Sequence, residues 1–406
     1  MSAVRLAITA GPHAGKEFSF DRHDTFLVGR SMDAHLQLSY NDPYFSRRHF
    51  FVEVNPPRCR VVDLNSRNGI YLNGKRVDTA ELKNGDEIKA GHTVFRVVVP
   101  PVDPNQQQTI DLPVHESPEW VPTIDHASPP DGLVPGYELQ AELGRGAMGV
   151  VHRAVRRADG TPVAVKLITP AAGVGNRQVE KFVREARMMS ELNHPNVAAY
   201  CDSGRAEHVA YLVMELVDGP DAGRILKAKG PLSVANAVRI TCNLLSGLAH
   251  AHAKGIIHRD VKPSNLLIGG PAGKRVVKVA DFGMARAYDE CKLSGLTMQG
   301  EVGGTPAFMA PEQVTHFRHV KPAADQYAAG ATLYNLLTDR YPHDLPKDVG
   351  RRLVHIITES VVPVRTRRAD LPAALAEAIH RALGREPGDR FPDVTAFRSA
   401  LLPFTK

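Results

Sequence analysis

The chain has 406 residues, 43% hydrophobic and 23% charged, and its 50 Lys and Arg against 44 Asp and Glu give a formal charge of +6. That length calls for two or three domains with packed cores, and so mild a charge without a dense basic stripe argues against a nucleic-acid partner. Four scattered cysteines (Cys59, Cys201, Cys242, Cys291) show no CxxC pair and no metal-ligand spacing, and no apolar run approaches the roughly 20 residues of a membrane span. With no signal-peptide core after Met1, the expectation is a soluble, cytoplasmic protein with reduced thiols.

Residues 1–100 alternate short strand-like runs, such as Val4-Arg5-Leu6-Ala7-Ile8 and Val94-Phe95-Arg96-Val97, with turns at Asn68-Gly69, Asn73-Gly74 and Asn84-Gly85. This pattern predicts an all-β antiparallel sandwich. Along it lie Gly29-Arg30, Ser46-Arg47-Arg48-His49, Asn65-Ser66-Arg67-Asn68-Gly69 and Asn73-Gly74. In this order they resemble the fork-head-associated (FHA) domain, which implies a sandwich whose loops at one end bind phosphothreonine proteins. The resemblance gives Arg30 and Ser46 to the phosphate, added charge to Arg47 and Arg67, and the peptide main chain to Asn68. A dianionic phosphate suits such charge-assisted donors. His49 reads as structural. Ile70 departs from the family's usual threonine after Asn-Gly, which bears on local packing rather than on phosphate.

Between Pro101 and Val134 stand seven prolines, six acidic residues and no Lys or Arg. The segment 101–135 therefore reads as an extended acidic linker. Its repeated Thr109-Ile110-Asp111 and Thr123-Ile124-Asp125 are either phosphoacceptors that the FHA loops capture or plain linker sequence.

Residues 136–406 begin with strands and continue with long amphipathic helices, predicted at Arg177 to Leu192, Ser233 to Lys254 and Ala373 to Leu383, an α+β pattern. Leu143-Gly144-Arg145-Gly146-Ala147-Met148-Gly149-Val150-Val151 places glycines where backbone amides can approach phosphates. Alone this is weak, because dinucleotide-binding turns share it, but Val163-Ala164-Val165-Lys166 follows as a buried-looking strand ending in a lysine. Glu185, in a helical stretch, offers a carboxylate partner. Then come His258-Arg259-Asp260-Val261-Lys262-Pro263-Ser264-Asn265, Asp281-Phe282-Gly283 and Ala310-Pro311-Glu312.

Five motifs in this order and spacing resemble the eukaryotic-type protein kinase family, over roughly Tyr137 to Pro403. The resemblance implies a bilobal α+β fold and ATP and Mg²⁺ as cofactors. Asp260 would orient the substrate hydroxyl and Lys262 neutralise the γ-phosphate, with Asn265 and Asp281 as metal ligands and Lys166 and Glu185 as an ion pair. Nucleotide contacts fall to Leu143, Gly144, Gly146, Ala147, Met148, Gly149, Val151, Lys166, Glu215 and Val217, behind Met214. Lys262-Pro263-Ser264-Asn265 and Gly304-Thr305-Pro306 look like the serine/threonine class, with protein Ser/Thr substrates.

A phosphate on the segment from Asp281 to Glu312, at Thr297 or next at Ser294, would pair with Arg259 and order the loop. Autophosphorylation in trans implies a transient homodimer. Details around Gly146-Ala147-Met148-Gly149 look bacterial, although eukaryotic checkpoint kinases also join FHA to kinase. The alternative from another class is a phospho-dependent scaffold with an inactive kinase fold, which ATP turnover discriminates.

Overall fold

The structure is a computed structural model, and it describes residues 3–38, 44–99, 132–146, 149–168, 176–206, 209–270, 275–282, 306–316, 319–346 and 349–406. The linker threonines Thr109 and Thr123, the acceptors Ser294 and Thr297, and Ala147, Met148, Gly283 and Thr305 lie outside the described residues.

The N-terminal region is a two-sheet sandwich. One sheet orders β2-β1-β11-β10-β7-β8, built from β1 (Val4–Ala10), β2 (Glu17–Phe20), β7 (Ile70–Leu72), β8 (Lys75–Val77), β10 (Glu87–Ala90) and β11 (Thr93–Val98). The other orders β4-β3-β5-β6-β9, from β3 (Asp24–Gly29), β4 (Leu36–Gln37), β5 (Phe50–Asn55), β6 (Arg58–Asp63) and β9 (Thr79–Glu81). All pairs are antiparallel except β3 with the two-residue β4, a parallel pair that the Asn-Gly turn pattern did not predict. Asn73 and Gly74 both have positive φ (48° and 82°), the geometry that lets a two-residue turn follow the strand twist between β7 and β8. Val4, Leu6, Phe26, Val28, Phe50, Val52, Val61, Ile88 and Phe95 fill the space between the sheets. Ile70, the departure from the FHA pattern, is part of that core.

A half-buried strand alternates in its polarity, but β5 does not: Phe50, Phe51, Val52 and Val54 are all fully buried. Leu27, Phe51 and Val62 project from the outer face of the second sheet, where with Leu64 they pack on Val314, Leu353 and Ile357 of the C-terminal region.

That region has two lobes. The small lobe is a sheet ordered β12-β13-β14-β16-β15, comprising β12 (Tyr137–Gly146), β13 (Gly149–Arg156), β14 (Pro162–Ile168), β15 (Tyr200–Ala206) and β16 (Val209–Glu215). Helix α1 (Asn176–Arg187) lays Val179, Phe182, Val183 and Ala186 on Ala164, Leu212 and Met214 of this sheet. Its last turn tightens to a 3₁₀ stretch over Met188–Glu191, so the helix predicted to Leu192 ends early. Leu133 and Val134 pack with Tyr137 and Val163 on the other face.

The large lobe holds α2 (Ala222–Lys229), α3 (Val234–Ala253), α4 (Pro311–Thr315), α5 (Ala323–Thr338), α6 (Val349–Thr358), α7 (Val364–Arg367), α8 (Ala373–Ala382) and α9 (Val394–Leu401), with the hairpin β17 (Leu266–Gly269) and β18 (Val276–Val279). Ser233 caps α3, accepting from the Asn236 amide at 3.4 Å, and Asp221 caps α2, accepting from the Arg224 amide at 2.9 Å. Helix α5 is buried on every side from Ala324 to Leu337. A charged residue inside such a helix needs a reason, and Asp325 has one below.

Candidate active site

The cleft between the lobes is a cavity of about 450 Å³ whose lining includes Leu143, Gly144, Val151, Met214, Val217 and Asp281. Its roof is Leu143 and Gly144 of β12 with Val151 of β13. Gly149 has φ of 133°, and any Cβ there would run into the Leu167 carbonyl oxygen, so glycine alone lets the turn fold this close to β14.

From β14, Lys166 crosses the cleft, its Nζ 2.9 Å from Asp281 Oδ2. Burial opposes charge on Asp281, but the Lys166 ammonium, with help from His258 and Lys262, holds its carboxyl below the usual range. Glu185 is half-buried on α1. Below the cleft, Lys262 Nζ lies 2.8 Å from Asp260 Oδ2, and Asn265 Nδ2 donates to the Asp260 carbonyl at 2.7 Å and to Oδ2 at 3.2 Å. Pro263 opens the short 3₁₀ turn that brings Asn265 back onto Asp260.

This loop is braced from beneath. Asp325, fully buried in α5, accepts from the amides of His258 and Arg259, both at 2.8 Å, and sits 2.7 Å from His252 Nε2. Burial raises its pKa, but the His252 bond and charge, His258 and the Arg259 amide outweigh that, so it stays ionised. His258 Nδ1 accepts from the Asp260 amide (3.2 Å), which leaves Nε2–H to donate to Ala280 O (2.9 Å). Arg259 and Asp281 both take left-handed backbone (φ 69° and 60°), costly for such residues and sustained by these bonds. Arg390, with a wholly buried side chain, forks onto Glu312 at 2.6 and 2.7 Å and ties the start of α4 to the lobe.

Some cleft residues escaped the sequence reading. Arg224 Nη2 donates to the Leu143 carbonyl at 3.1 Å, joining α2 to the glycine turn, and with Asp221 it lines the cavity. The Asp221 cap was the only sequence signal for either. The Glu215 amide donates to Ala199 O at 2.8 Å, and its carboxylate meets Lys278 at 2.8 Å.

The candidate phosphothreonine loops converge at one end of the sandwich. Ser46 Oγ accepts from the Arg67 amide at 3.0 Å, the Arg30 amide donates to Ser46 O at 3.1 Å, and Asn68 Nδ2 donates to Tyr44 O at 2.9 Å. Arg47 and Arg67 are exposed. Arg30 Nε is buried without a hydrogen-bond partner among the described residues, a donor that an anion would satisfy. His49, fully buried, accepts from the Ser46 amide through Nδ1 (3.1 Å) and reaches Gly69 O through Nε2 (3.3 Å), so its structural role is to pin the two loops together.

A glycine turn over a cleft, a lysine–aspartate pair across it and an aspartate–lysine–asparagine cluster beneath it define the two-lobed fold of the phosphoryl-transfer class. Residues 137–392 match the protein kinase domain and residues 26–91 the FHA domain. The chain belongs to the protein kinase family. It is 37% identical over 269 residues to the serine/threonine-protein kinase pkn3 of Myxococcus xanthus, covering 65% of this chain and 49% of that protein. It is 35% identical to PkaA of Streptomyces coelicolor, covering 63% and 47%. The chain thus spans about half the length of the curated relatives it matches. Among solved structures, the PknI kinase domain of Mycobacterium tuberculosis matches at 27% identity and TM-score 0.52, covering 66% of this chain and 96% of that one. Rad53 residues 1–466, in complex with AMP-PNP, shares the fold at 23% identity and TM-score 0.55 over 100% of both chains. No described helix is long and apolar enough to cross a membrane.

Proposed function

We propose that the chain is an ATP- and Mg²⁺-dependent protein kinase acting on Ser and Thr, with an FHA domain that recruits phosphothreonine-bearing proteins. The observation that carries the reading is the gathering of Lys166, Asp281, Asp260, Lys262 and Asn265 on one cleft. The donor set fits a hard cation: Asp281 offers a carboxylate held ionised, and Asn265, its amide nitrogen committed to Asp260, offers its amide oxygen. Bound ATP supplies the γ-phosphoryl group, and Mg²⁺ neutralises part of its charge.

The chain's own residues then do the following. Asp260 accepts the proton of the attacking Ser or Thr hydroxyl as the new O–P bond forms and the bond to the β-phosphate oxygen breaks. Lys262, against Asp260, would neutralise the transferred group, and Lys166, with Glu185 of α1 as its proposed ion-pair partner, would hold the α- and β-phosphates. Backbone amides of Gly144, Gly146, Ala147, Met148 and Gly149 cover the phosphates. Leu143 and Val151, which line the cavity, would hold the adenine, with the backbone of Glu215 and Val217 as its hydrogen-bonding edge. In the sandwich, Arg30, Ser46, Arg47 and Arg67 hold the phosphate and Asn68 the peptide. Thr297 and then Ser294 are the autophosphorylation acceptors, reached in a transient dimer. Scattered thiols and the need for ATP favour the cytoplasm.

The test is radiolabelled phosphate transfer from Mg-ATP by the intact chain and by Asp281→Ala, with the labelled residues mapped. Incorporation on Ser or Thr by the intact chain alone supports the reading. No incorporation, even with generic substrates and after treatment with an active kinase, replaces it with the inactive scaffold.

A further inference from the structure

The FHA sandwich does not merely hang from the linker. Three adjacent strands, β3, β5 and β6, carry Leu27, Phe51 and Val62 on the face turned away from the sandwich core, each 0–1% exposed. What removes them from water is the large lobe, through Val314 of α4 and Leu353 and Ile357 of α6, with Ala34, Met309 and Val354 around them. Removing side chains of this size from water favours the contact. The rim is polar: Arg48 Nη2 meets Glu386 Oε1 at 2.9 Å, Arg351 lies 3.6 Å from Asp78, and His316 Nε2–H donates to Asp33 O at 2.6 Å.

Both candidate sites are bonded to this interface. On the sandwich side, Ser31 and Asp33 follow Arg30, the Ser31 amide donates to Arg47 O at 2.8 Å, and its hydroxyl bonds Asp33. Asp33 Oδ2 also receives Arg48 at 2.6 and 3.0 Å, so Asp33 and Arg48 brace the loops bearing Arg30, Ser46 and Arg47 while touching the lobe. On the lobe side, His316 ends α4. Gln313, one turn earlier, donates from Nε2 to the Arg259 carbonyl at 2.9 Å, one residue from Asp260. The same few residues thus order the phosphate loops and fasten the helix beneath the catalytic loop.

We propose that the outer face of the FHA sandwich is a docking surface for this chain's own large lobe, and that through it phosphothreonine binding and large-lobe order reinforce each other. The coupling rests on the phosphothreonine-reading role above. Docking holds Asp33 and Arg48 in place, so a ligand finds its loops already ordered and meets less entropic cost. By reciprocity the bound ligand tightens the contact with α4 and α6.

The experiment uses the full chain and a degenerate peptide mixture with phosphothreonine at its centre, measured by fluorescence anisotropy and by hydrogen exchange. Leu353→Asp puts a charge into the interface from the lobe side and changes no residue of the phosphate loops. His316→Ala removes the bond to Asp33 without a buried charge and stands in should Leu353→Asp fail to fold by circular dichroism. The expected result is a loss of peptide affinity of about fivefold or more in either variant, with slower exchange in α6 when the peptide saturates the wild type. Affinity unchanged or tighter in both variants overturns the coupling while leaving the reader intact. A wild-type chain that does not bind the mixture at all overturns the reader, and the coupling with it.

Discussion

Lys166 Nζ and Asp281 Oδ2 stand 2.9 Å apart across the cleft, and this pair ties the β-sheet lobe to the helical lobe. Lys166 is almost wholly buried, and Asp281 is one carboxylate that meets it there. Replacing Asp281 with Ala leaves the ammonium without this partner and removes a proposed cation ligand. Phosphoryl transfer is expected to fall by at least about 10²-fold, the scale of losing one preorganised electrostatic group. A single-turnover assay with Mg-ATP checks it, and Asp281→Asn, isosteric but uncharged, is expected to fail as well.

Asp325 should matter as much to activity without touching substrate. It holds the His258 and Arg259 amides at the start of the loop bearing Asp260 from inside a helix in which it is the one charged residue. Asp325→Ala strands two buried donors and is expected to cost about 3–5 kcal/mol of stability by urea unfolding. Because its folded pKa is lowered, its contribution is fully present above the ordinary carboxylate value near 4 and is lost as pH falls below that value through the lowered folded pKa.

His343 makes the large lobe acid-sensitive. Burial, joined by the His355, Arg385 and Arg367 charges and opposed by Asp344, lowers its pKa to about 4. The neutral ring bonds the Tyr327 hydroxyl at 3.0 Å. A depressed histidine pKa favours the fold fully above about 6.5, and that stability is lost as pH falls from there to about 4. The loss is about 3 kcal/mol at about 1.4 kcal/mol per unit. Denaturant unfolding at pH 7 and pH 4 should show a smaller difference in His343→Gln than in the wild type.

At the sandwich, Arg30→Ala and Ser46→Ala are each expected to weaken phosphothreonine peptide binding by about 2–3 kcal/mol, the scale of a charge-assisted bond to phosphate. Arg47→Ala, on an exposed side chain, should cost less than about 1 kcal/mol and lose that effect at high salt. Calorimetry at two ionic strengths separates the cases.

Much of this site was legible because its chemistry is written in short stretches. Asp260, Lys262 and Asn265 lie within six residues, and a proline-led turn suffices to bring them together. Ser46, Arg67 and Asn68 were legible as loop residues between strands. Less legible were residues whose roles come from packing. His49 looked structural and proved to join two loops, and Arg224 gave no signal of its contact with Leu143. Nor does alternation reveal a two-residue parallel strand such as β4.

The residue order by itself determined the strands and turns of the sandwich, the strand-then-helix order of the last segment and the motifs, because turns, strand alternation and helical periodicity act over a few residues. It even held a sign of the interface: Phe50-Phe51-Val52 has no polar face to give to water. Only the tertiary structure decided what covers Phe51. That answer depends on Leu353 and Ile357, some 300 residues away, and on Arg48 finding Glu386 across 338 positions. Contacts at such separation leave no local pattern, since they form only when separately folded surfaces match in shape and charge.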